Sequence, residues 1–172
     1  MIFVTLINKN SVIFVTLVKI SKIVEKEVRV SMLKNIPKIL SPELLKVLSE
    51  MGHGDEIVLG DGNFPAASMA NRLVRADGIA MPQLLDAVLT VFPLDQYDSN
   101  HFVLMELVPG DTVNPVIWKD YEMILHKHES QSKMDHMERF AYYERAKKAY
   151  AVVATGEEAQ YANIILKKGC VL

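Results

Sequence analysis

Short runs of apolar residues alternate with segments of helical spacing along this chain, and this alternation limits the fold more than any other feature. The apolar runs occupy residues 57–59, 102–107, 149–154 and 164–166. Strands that read as nearly continuous apolar runs are buried on both faces, so helices must cover both sides of their sheet. The sequence therefore predicts an α/β fold with layered architecture in one domain.

Four segments are predicted to form helices, over residues 41–51, 82–92, 114–125 and 138–148. The first begins with Ser41-Pro42, a hydroxyl cap followed by proline at the first helical position. Gly52 is expected to end this helix in the left-handed conformation. Residues 126–136 are polar and histidine-rich and are predicted to form a loop, and residues 157–161 a short helical turn.

Composition and charge exclude several classes of protein. Half of the residues are hydrophobic and the formal net charge is −2. Residues 1–31 carry five basic and two acidic side chains, which leaves 14 basic and 19 acidic groups for the rest. An acidic body argues against binding to nucleic acid, and no run reaches the roughly 20 apolar residues of a membrane helix. The single cysteine, Cys170, indicates a reducing cytoplasm and reads as a tolerated terminal thiol.

The first 31 residues differ in character from the rest of the chain. The pentapeptide Ile-Phe-Val-Thr-Leu occurs at residues 2–6 and again at 13–17, and Met32-Leu33-Lys34 resembles a second start. We expect residues 1–31 to be an atypical N-terminal extension of a domain that spans residues 32–172. A structural hairpin around residues 8–11 is the alternative.

The densest group of candidate site residues surrounds the first apolar run. His53 lies between two glycines, and an imidazole can donate and accept protons near neutral pH. Asp61 follows the apolar run, at the end of a strand where open α/β sheets place their ligands. The alternative is that His53 caps the preceding helix and Asp61 holds a turn.

Two later segments carry further polar candidates. Arg139 begins the segment Arg-Phe-Ala-Tyr-Tyr-Glu-Arg, and its planar guanidinium suits an anion or pairs of sugar hydroxyls. The alternative for this segment is a solvated face of Glu144 and Arg145 over a core that includes Phe140. The triplet Tyr161, Ala162 and Asn163 precedes the last strand and offers groups that orient a polyol, or else a simple turn.

Other kinds of site find little support in the sequence. His126, His128 and His136 raise the possibility of a metal, but their polar surroundings favour an exposed loop. Gly60-x-Gly62 is only a fragment of a nucleotide-binding fingerprint. Neither a metal nor a nucleotide is therefore expected.

Several strings together resemble the ribose pyranase and fucose mutarotase family of sugar isomerases. They span residues 32–172 and include Met-Gly-His-Gly-Asp-Glu at 51–56, Asn-Phe-Pro at 63–65 and Arg-Ala-Asp-Gly at 75–78. Phe140-x-x-Tyr143-Glu144-Arg145-Ala146 and Arg139 resemble the fucose branch. Gly60 and Gly62 depart from the Ser and Ala that the family pattern leads us to expect around Asp61.

The resemblance implies a layered α/β/α fold with a mixed sheet, homo-oligomers that are often rings, and no cofactor. It implies that His53 is the proton donor and that Asp61, Arg139, Tyr161, Ala162 and Asn163 bind the sugar. The implied reaction is exchange between the α and β anomers of L-fucose. Ring-size exchange of D-ribose and non-catalytic sugar binding remain as alternatives.

Overall fold

The computed structural model describes residues 33–171, so the expected extension over residues 1–31 lies outside the described residues. The described part contains six strands and five helices, whose bounds follow in chain order. They are α1 (Pro42–Glu50), β1 (Glu56–Gly60), α2 (Ala66–Met69), β2 (Leu73–Ala76), α3 (Met81–Leu89), β3 (Phe102–Met105), α4 (Ile117–His128), β4 (Asp135–Met137), α5 (Arg139–Ala146), β5 (Ala151–Thr155) and β6 (Ile164–Lys167).

The six strands form one sheet in the order β2-β5-β1-β6-β3-β4. β1 pairs in parallel with β5 and antiparallel with β6. β6 also runs antiparallel to β3, and the outer pairs β2–β5 and β3–β4 are parallel. Five strands therefore point the same way and β6 alone opposes them, which confirms the mixed sheet.

Both faces of this sheet are buried, as the continuous apolar runs predict. Along β1, Ile57 and Leu59 belong to one core and Val58 belongs to the other. The first core is completed by side chains of α1, α3 and α4, and the second by Ala66 of α2 together with Tyr142 and Ala146 of α5. Successive side chains of a strand point to opposite faces, so helices cover each side. The layered α/β/α prediction is confirmed.

The first helix begins as predicted but ends differently. Ser41 accepts a hydrogen bond from the Leu44 amide, and Pro42 is the first helical residue. The left-handed conformation belongs to Gly54, with φ of 86°, and not to Gly52. The ammonium of Lys168 donates to the carbonyls of Leu48 and Met51 at the helix end. A cation that directly follows the distant strand β6 thus satisfies carbonyls that a C-cap would otherwise serve.

The predicted loop over residues 126–136 is wrong in its first part. Helix α4 continues to His128, because Leu125 is fully buried and His128 Nε2 lies 2.7 Å from the Asp86 carboxylate on α3. The same region then contributes the three-residue edge strand β4. Residues 157–161 form a bend at Ala159 and a turn at Gln160 and Tyr161, and not the expected helical turn.

The interpretation of Arg145 as part of a solvated face is also wrong. Its guanidinium pairs with the carboxylate of Glu56, and the distance from Nη2 to Oε1 is 2.6 Å. It also donates to the carbonyl of Asn100 at 2.8 Å. Only 18% of each paired side chain is exposed. This ion pair joins α5 to the start of β1.

We expect Arg145→Ala to lower the free energy of unfolding by about 2–3 kcal/mol, because it leaves the Glu56 carboxylate half-buried without its cation. Urea unfolding followed by circular dichroism measures the change. Glu144→Ala, which removes an exposed pair with Lys147 directly after the same helix, is the matched control and should cost less than about 1 kcal/mol. Equal losses in the two variants would contradict this account of the Arg145 pair.

Candidate functional site

The strand directions bring most of the predicted site residues to one edge of the sheet. Asp61 follows β1, Arg139 follows β4, and both strands end at the same edge because they run parallel. The Tyr161–Asn163 triplet precedes β6, which is antiparallel, so its start lies at this edge too. Ligands of open α/β sheets bind at this carboxyl edge.

These residues line an open cleft of about 320 Å³, which we call the carboxyl-edge cleft. Of the predicted residues, Asp61, Arg139, Tyr161 and Asn163 belong to its wall. The remaining lining residues are Asn63, Phe64, Met105, Val108, Asp111, Tyr143 and Gln160. The wall therefore combines charged and amide groups with apolar side chains, a combination that suits a small polar ligand.

Asp61 is held at the cleft floor by the backbone around it. It is only 4% exposed, its own amide donates to Asn163 Oδ1 at 2.9 Å, and its carboxylate accepts from the Asn63 amide at 2.9 Å. Burial raises the pKa of the Asp61 carboxyl, and hydrogen bonds from neighbouring backbone amides oppose that rise only in part. The net effect on the pKa is therefore set by burial, and each carboxylate oxygen, with more than one lone pair, can still accept a hydrogen bond from a ligand in the cleft.

The two glycines beside Asp61 leave no opening in the floor. A Cβ atom at Gly60 would lie 2.9 Å from Cδ1 of Phe64, and one at Gly62 would lie 3.2 Å from the Glu157 carbonyl. The buried ring of Phe64 thus packs against bare backbone at Gly60. The Phe64 ring therefore occupies the space that a side chain at position 60 would take in the family pattern.

Tyr161 stands in the cleft wall in an unusual backbone conformation. Its φ is 58°, in the left-handed region that most side chains avoid. The hydroxyl donates to Asp111 Oδ2 at 2.6 Å and accepts from the Val108 amide at 3.3 Å. This hydrogen bond raises the pKa of Tyr161 and lowers the pKa of Asp111. The hydroxyl proton is thus committed, and a ligand meets the oxygen as an acceptor.

Arg139 is the first residue of α5, and its guanidinium carbon lies 4.7 Å above the ring centroid of Phe140. Phe140 is 64% exposed, so the alternative that assigned it to the core is wrong. The core face of this helix consists instead of Tyr142 and Ala146. An exposed aromatic ring therefore orients the cleft arginine from the outside.

Ala162 differs from its neighbours in the triplet. Its side chain is fully buried and does not line the cleft, and its carbonyl accepts from the Tyr121 hydroxyl at 3.0 Å. Hydrogen bonding from its amide is one of the influences that lower the pKa of Asp61. Ala162 contributes to the site through its backbone.

His53 lies outside the carboxyl-edge cleft of its own chain. It precedes β1, whereas Asp61 follows it, and a five-residue strand separates the two by about 16 Å. Its Nε2 is 3.2 Å from Oδ1 of the buried Asp95, and its ring packs edge-on against Tyr97 at 5.8 Å. The side chain is 47% exposed. His53 does not cap α1, whose last carbonyls are taken by Lys168.

The sequence interpretation missed two carboxylates that matter to these groups. Asp111 follows β3 in a Pro-Gly-Asp turn, and the strand-end argument that identified Asp61 applies to it equally. No sequence pattern marks Asp95 as a site residue, because it lies 42 residues from His53 in the chain and meets it only in the folded structure. The Tyr97 amide and His53 both lower the pKa of Asp95, and the Lys167 ammonium lies 3.7 Å from it.

The histidines considered for a metal lie apart from one another. His128 contacts Asp86, and His136 packs against Trp118 with 4.9 Å between ring centroids. Within residues 33–171, no group of three or more His, Cys, Asp or Glu side chains is arranged to hold a metal ion. No helix in the same part of the chain is long and apolar enough to cross a membrane.

Comparison with known proteins gives consistent matches. Residues 34–171 match the model of the RbsD / FucU transport protein family. Fucose mutarotase of Mus musculus is 54% identical over 143 residues, which cover 80% of this chain and 94% of that protein. L-fucose mutarotase of Actinobacillus pleuropneumoniae is 52% identical over 139 residues, or 80% of this chain and 96% of that protein.

A solved structure also matches. The crystal structure of the fucose mutarotase in complex with L-fucose from Streptococcus pneumoniae aligns with a TM-score of 0.78 at 52% identity. The alignment covers 81% of this chain and all of that one.

We expect Asp61→Asn to stabilise the fold at pH 7 and to leave it nearly unchanged at pH 3. Because burial raises the pKa of the folded carboxyl, protonation favours the folded state, and stability falls as the pH rises above about 4. The amide carries no charge and avoids this loss, so the melting temperature at pH 7 should rise by about 2–4 °C.

Differential scanning fluorimetry between pH 3 and pH 8 measures this difference. Asp77→Asn is the control, because Asp77 is exposed, pairs with Arg75, and has a lowered pKa. A melting temperature for Asp61→Asn that drops at pH 7 would show that the carboxylate is well satisfied after all.

Proposed function

The chain belongs to the RbsD / FucU transport protein family, and from this premise we propose that it is an isomerase that interconverts the α and β anomers of L-fucose. The observation that carries the proposal is the carboxyl-edge cleft, where Asp61, Arg139, Tyr161 and Asn163 converge around a space of monosaccharide size. The L-fucose complex of a relative with 52% identity supports the same substrate.

The polar wall of the cleft complements a sugar with several hydroxyl groups. Arg139 offers only donors, and the Asp61 carboxylate offers only acceptors. Tyr161 presents an acceptor oxygen, because its proton is given to Asp111. Such a set distinguishes hydroxyl orientations, since a buried polar group left unpaired costs ~1–3 kcal/mol. Met105, Val108 and Phe64 supply apolar surface for the C6 methyl group, a contact worth ~1–3 kcal/mol.

His53 is the residue that we propose transfers protons. In ring opening, the anomeric hydroxyl loses a proton, the bond from C1 to the ring oxygen breaks, and the ring oxygen gains a proton. The aldehyde then rotates about the C1–C2 bond, and the ring closes on its other face. An imidazole suits both proton movements near neutral pH. Nε2 of His53 faces Asp95, which leaves Nδ1 for the sugar.

The separation of His53 from the cleft supports a homo-oligomeric enzyme. One chain cannot bring His53 to a sugar held by Asp61, because β1 lies between them. A second copy can supply its own His53 if its opposite edge docks at the cleft. An exposed aromatic ring lies beside His53 and another lies beside Arg139 of the cleft: Tyr97 is 80% exposed and Phe140 is 64% exposed. Closing a ring of copies would bury both.

Two other functions remain as alternatives, and each differs in one measurable property. D-ribose pyranase activity would require faster exchange of ribose than of fucose. A non-catalytic sugar-binding module would bind sugar in the cleft without any need for His53. The single cysteine, Cys170, is a free thiol, in keeping with a proposed location in the reducing cytoplasm.

We expect the protein to accelerate anomer exchange of L-fucose more than that of D-galactose, and D-galactose more than D-ribose. D-galactose has the same order of axial and equatorial ring hydroxyl groups as L-fucose, but in mirror image and with a hydroxymethyl group in place of the methyl, whereas ribose lacks both that order and the methyl group. Saturation-transfer NMR between the two anomeric protons measures each exchange rate, with denatured protein as the blank. Faster exchange of ribose would instead favour the pyranase alternative.

We expect His53→Ala and Arg139→Ala to be nearly inactive alone but active when mixed. Loss of a positioned acid or base removes about 10²–10⁴-fold in rate. If each site takes His53 from one copy and Arg139 from another, random mixing restores roughly a quarter of the sites. The same NMR exchange assay measures recovery after the two variants are unfolded and refolded together.

His126→Ala is the matched control, since His126 is exposed on α4 and lies outside the cleft. It should keep full activity alone. Mixtures that stay inactive, from variants that are each folded and co-assembled, would show that the site does not combine residues of two copies.

A further inference from the structure

Helix α4 lies behind the Tyr161–Asn163 segment and donates two side-chain hydrogen bonds to its backbone. Nε1 of Trp118 donates to the carbonyl of Tyr161 at 2.8 Å, and the hydroxyl of Tyr121 donates to the carbonyl of Ala162 at 3.0 Å. Residues three apart on a helix share a face. One face of α4 thus holds two consecutive carbonyls of the triplet.

The segment needs such support because it is held in a costly conformation. The left-handed backbone of Tyr161 is disfavoured by roughly 1–2 kcal/mol for a residue with a Cβ atom. Regular pairing begins only at Ile164 in β6. Without external hydrogen bonds, nothing in the local sequence favours this conformation over an extended one.

The two donors are themselves fixed by packing. Tyr121 is fully buried in the core beneath the sheet, next to the equally buried Leu125 of the same helix. Trp118 is half-buried, and the ring of His136 from the edge strand β4 packs against it. Their hydrogen-bonding atoms therefore have defined positions before any ligand arrives.

We propose that Trp118 and Tyr121 are positioning residues of the sugar site, which set the Tyr161–Asn163 segment in its binding conformation in advance. Neither residue lines the cleft, so both act through the backbone that they hold. The segment carries the Tyr161 hydroxyl, which donates to Asp111, and the side-chain oxygen of Asn163, which accepts from the backbone amide of Asp61. The identity of the sugar, but not the positioning itself, rests on the function proposed above.

A preset segment strengthens binding without altering the proton transfer. If only a fraction of molecules holds the binding conformation, the apparent dissociation constant rises by the inverse of that fraction. Loss of either donor should therefore raise the half-saturating sugar concentration. The turnover rate should change little, because His53 and its partner Asp95 lie at the other edge of the sheet.

The test compares Trp118→Phe and Tyr121→Phe with the wild-type oligomer. Each substitution keeps an aromatic ring and removes one N–H or O–H donor. Tyr150→Phe is the matched control, because its hydroxyl contacts the exposed Glu50 at 3.2 Å and lies outside the cleft. Two measurements are made: L-fucose anomer exchange as a function of sugar concentration, and hydrogen–deuterium exchange of residues 158–165 without sugar.

Both variants should raise the half-saturating L-fucose concentration by about 3- to 10-fold, the range expected for one neutral hydrogen bond. Turnover at saturation should stay within about twofold of wild type, and deuterium uptake in residues 158–165 should accelerate. Tyr150→Phe should match wild type in all three respects.

A merely structural role is distinguished by the same data. Lower thermal stability with an unchanged half-saturating concentration would overturn the proposal, as would unchanged deuterium uptake in residues 158–165. If the wild-type protein fails to accelerate L-fucose exchange, the proposed function is wrong. The deuterium measurement, which needs no sugar, then decides by itself whether these two donors hold the segment.

Discussion

Burial of β1 on both faces is the constraint on which the rest of the structure depends. The strand lies between β5 and β6, and its side chains alternate between two separate cores. Such a strand cannot shift by one residue, because a shift would exchange the contents of both cores. Its two ends are consequently fixed in space, and these ends carry His53 and Asp61.

The polar groups of the protein are concentrated where the strands end. The carboxyl edge carries Asp61 and Asp111, and the antiparallel β6 adds Tyr161 and Asn163 at its start. The opposite edge carries His53, whose imidazole contacts the buried carboxylate of Asp95, and the Lys167 ammonium lies near the same carboxylate. Each edge therefore holds part of the chemistry that we propose for sugar mutarotation. An assembly that joins unlike edges of neighbouring copies is the simplest arrangement that uses both.

The site is also where the structure tolerates unfavourable states. Asp61 is buried enough to raise the pKa of its carboxyl, and Tyr161 adopts a left-handed backbone. Such features persist only where surrounding contacts hold them. Here the contacts come from Asn163 below and from Trp118 behind. By contrast, the half-buried pair of Arg145 and Glu56 serves to join α5 to β1 outside the cleft.

Local pattern in the sequence was sufficient to predict the layered α/β fold, the Ser41-Pro42 helix start and the place of Asp61 at a strand end. These features depend on residues close together in the chain, whose periodicity and capping chemistry act within one element. The edge strands β2 and β4 were missed, because each is short and only partly buried.

Tertiary structure alone decided which distant groups meet. The extension of α4 to His128 depends on Asp86 of another helix. The carbonyls at the end of α1 are bound by Lys168, which directly follows β6, and not by a local glycine cap. The separation of His53 from the cleft follows from the strand length and direction of β1 within the sheet. Strand order and direction are set by the packing of the whole chain, so no local pattern encodes them.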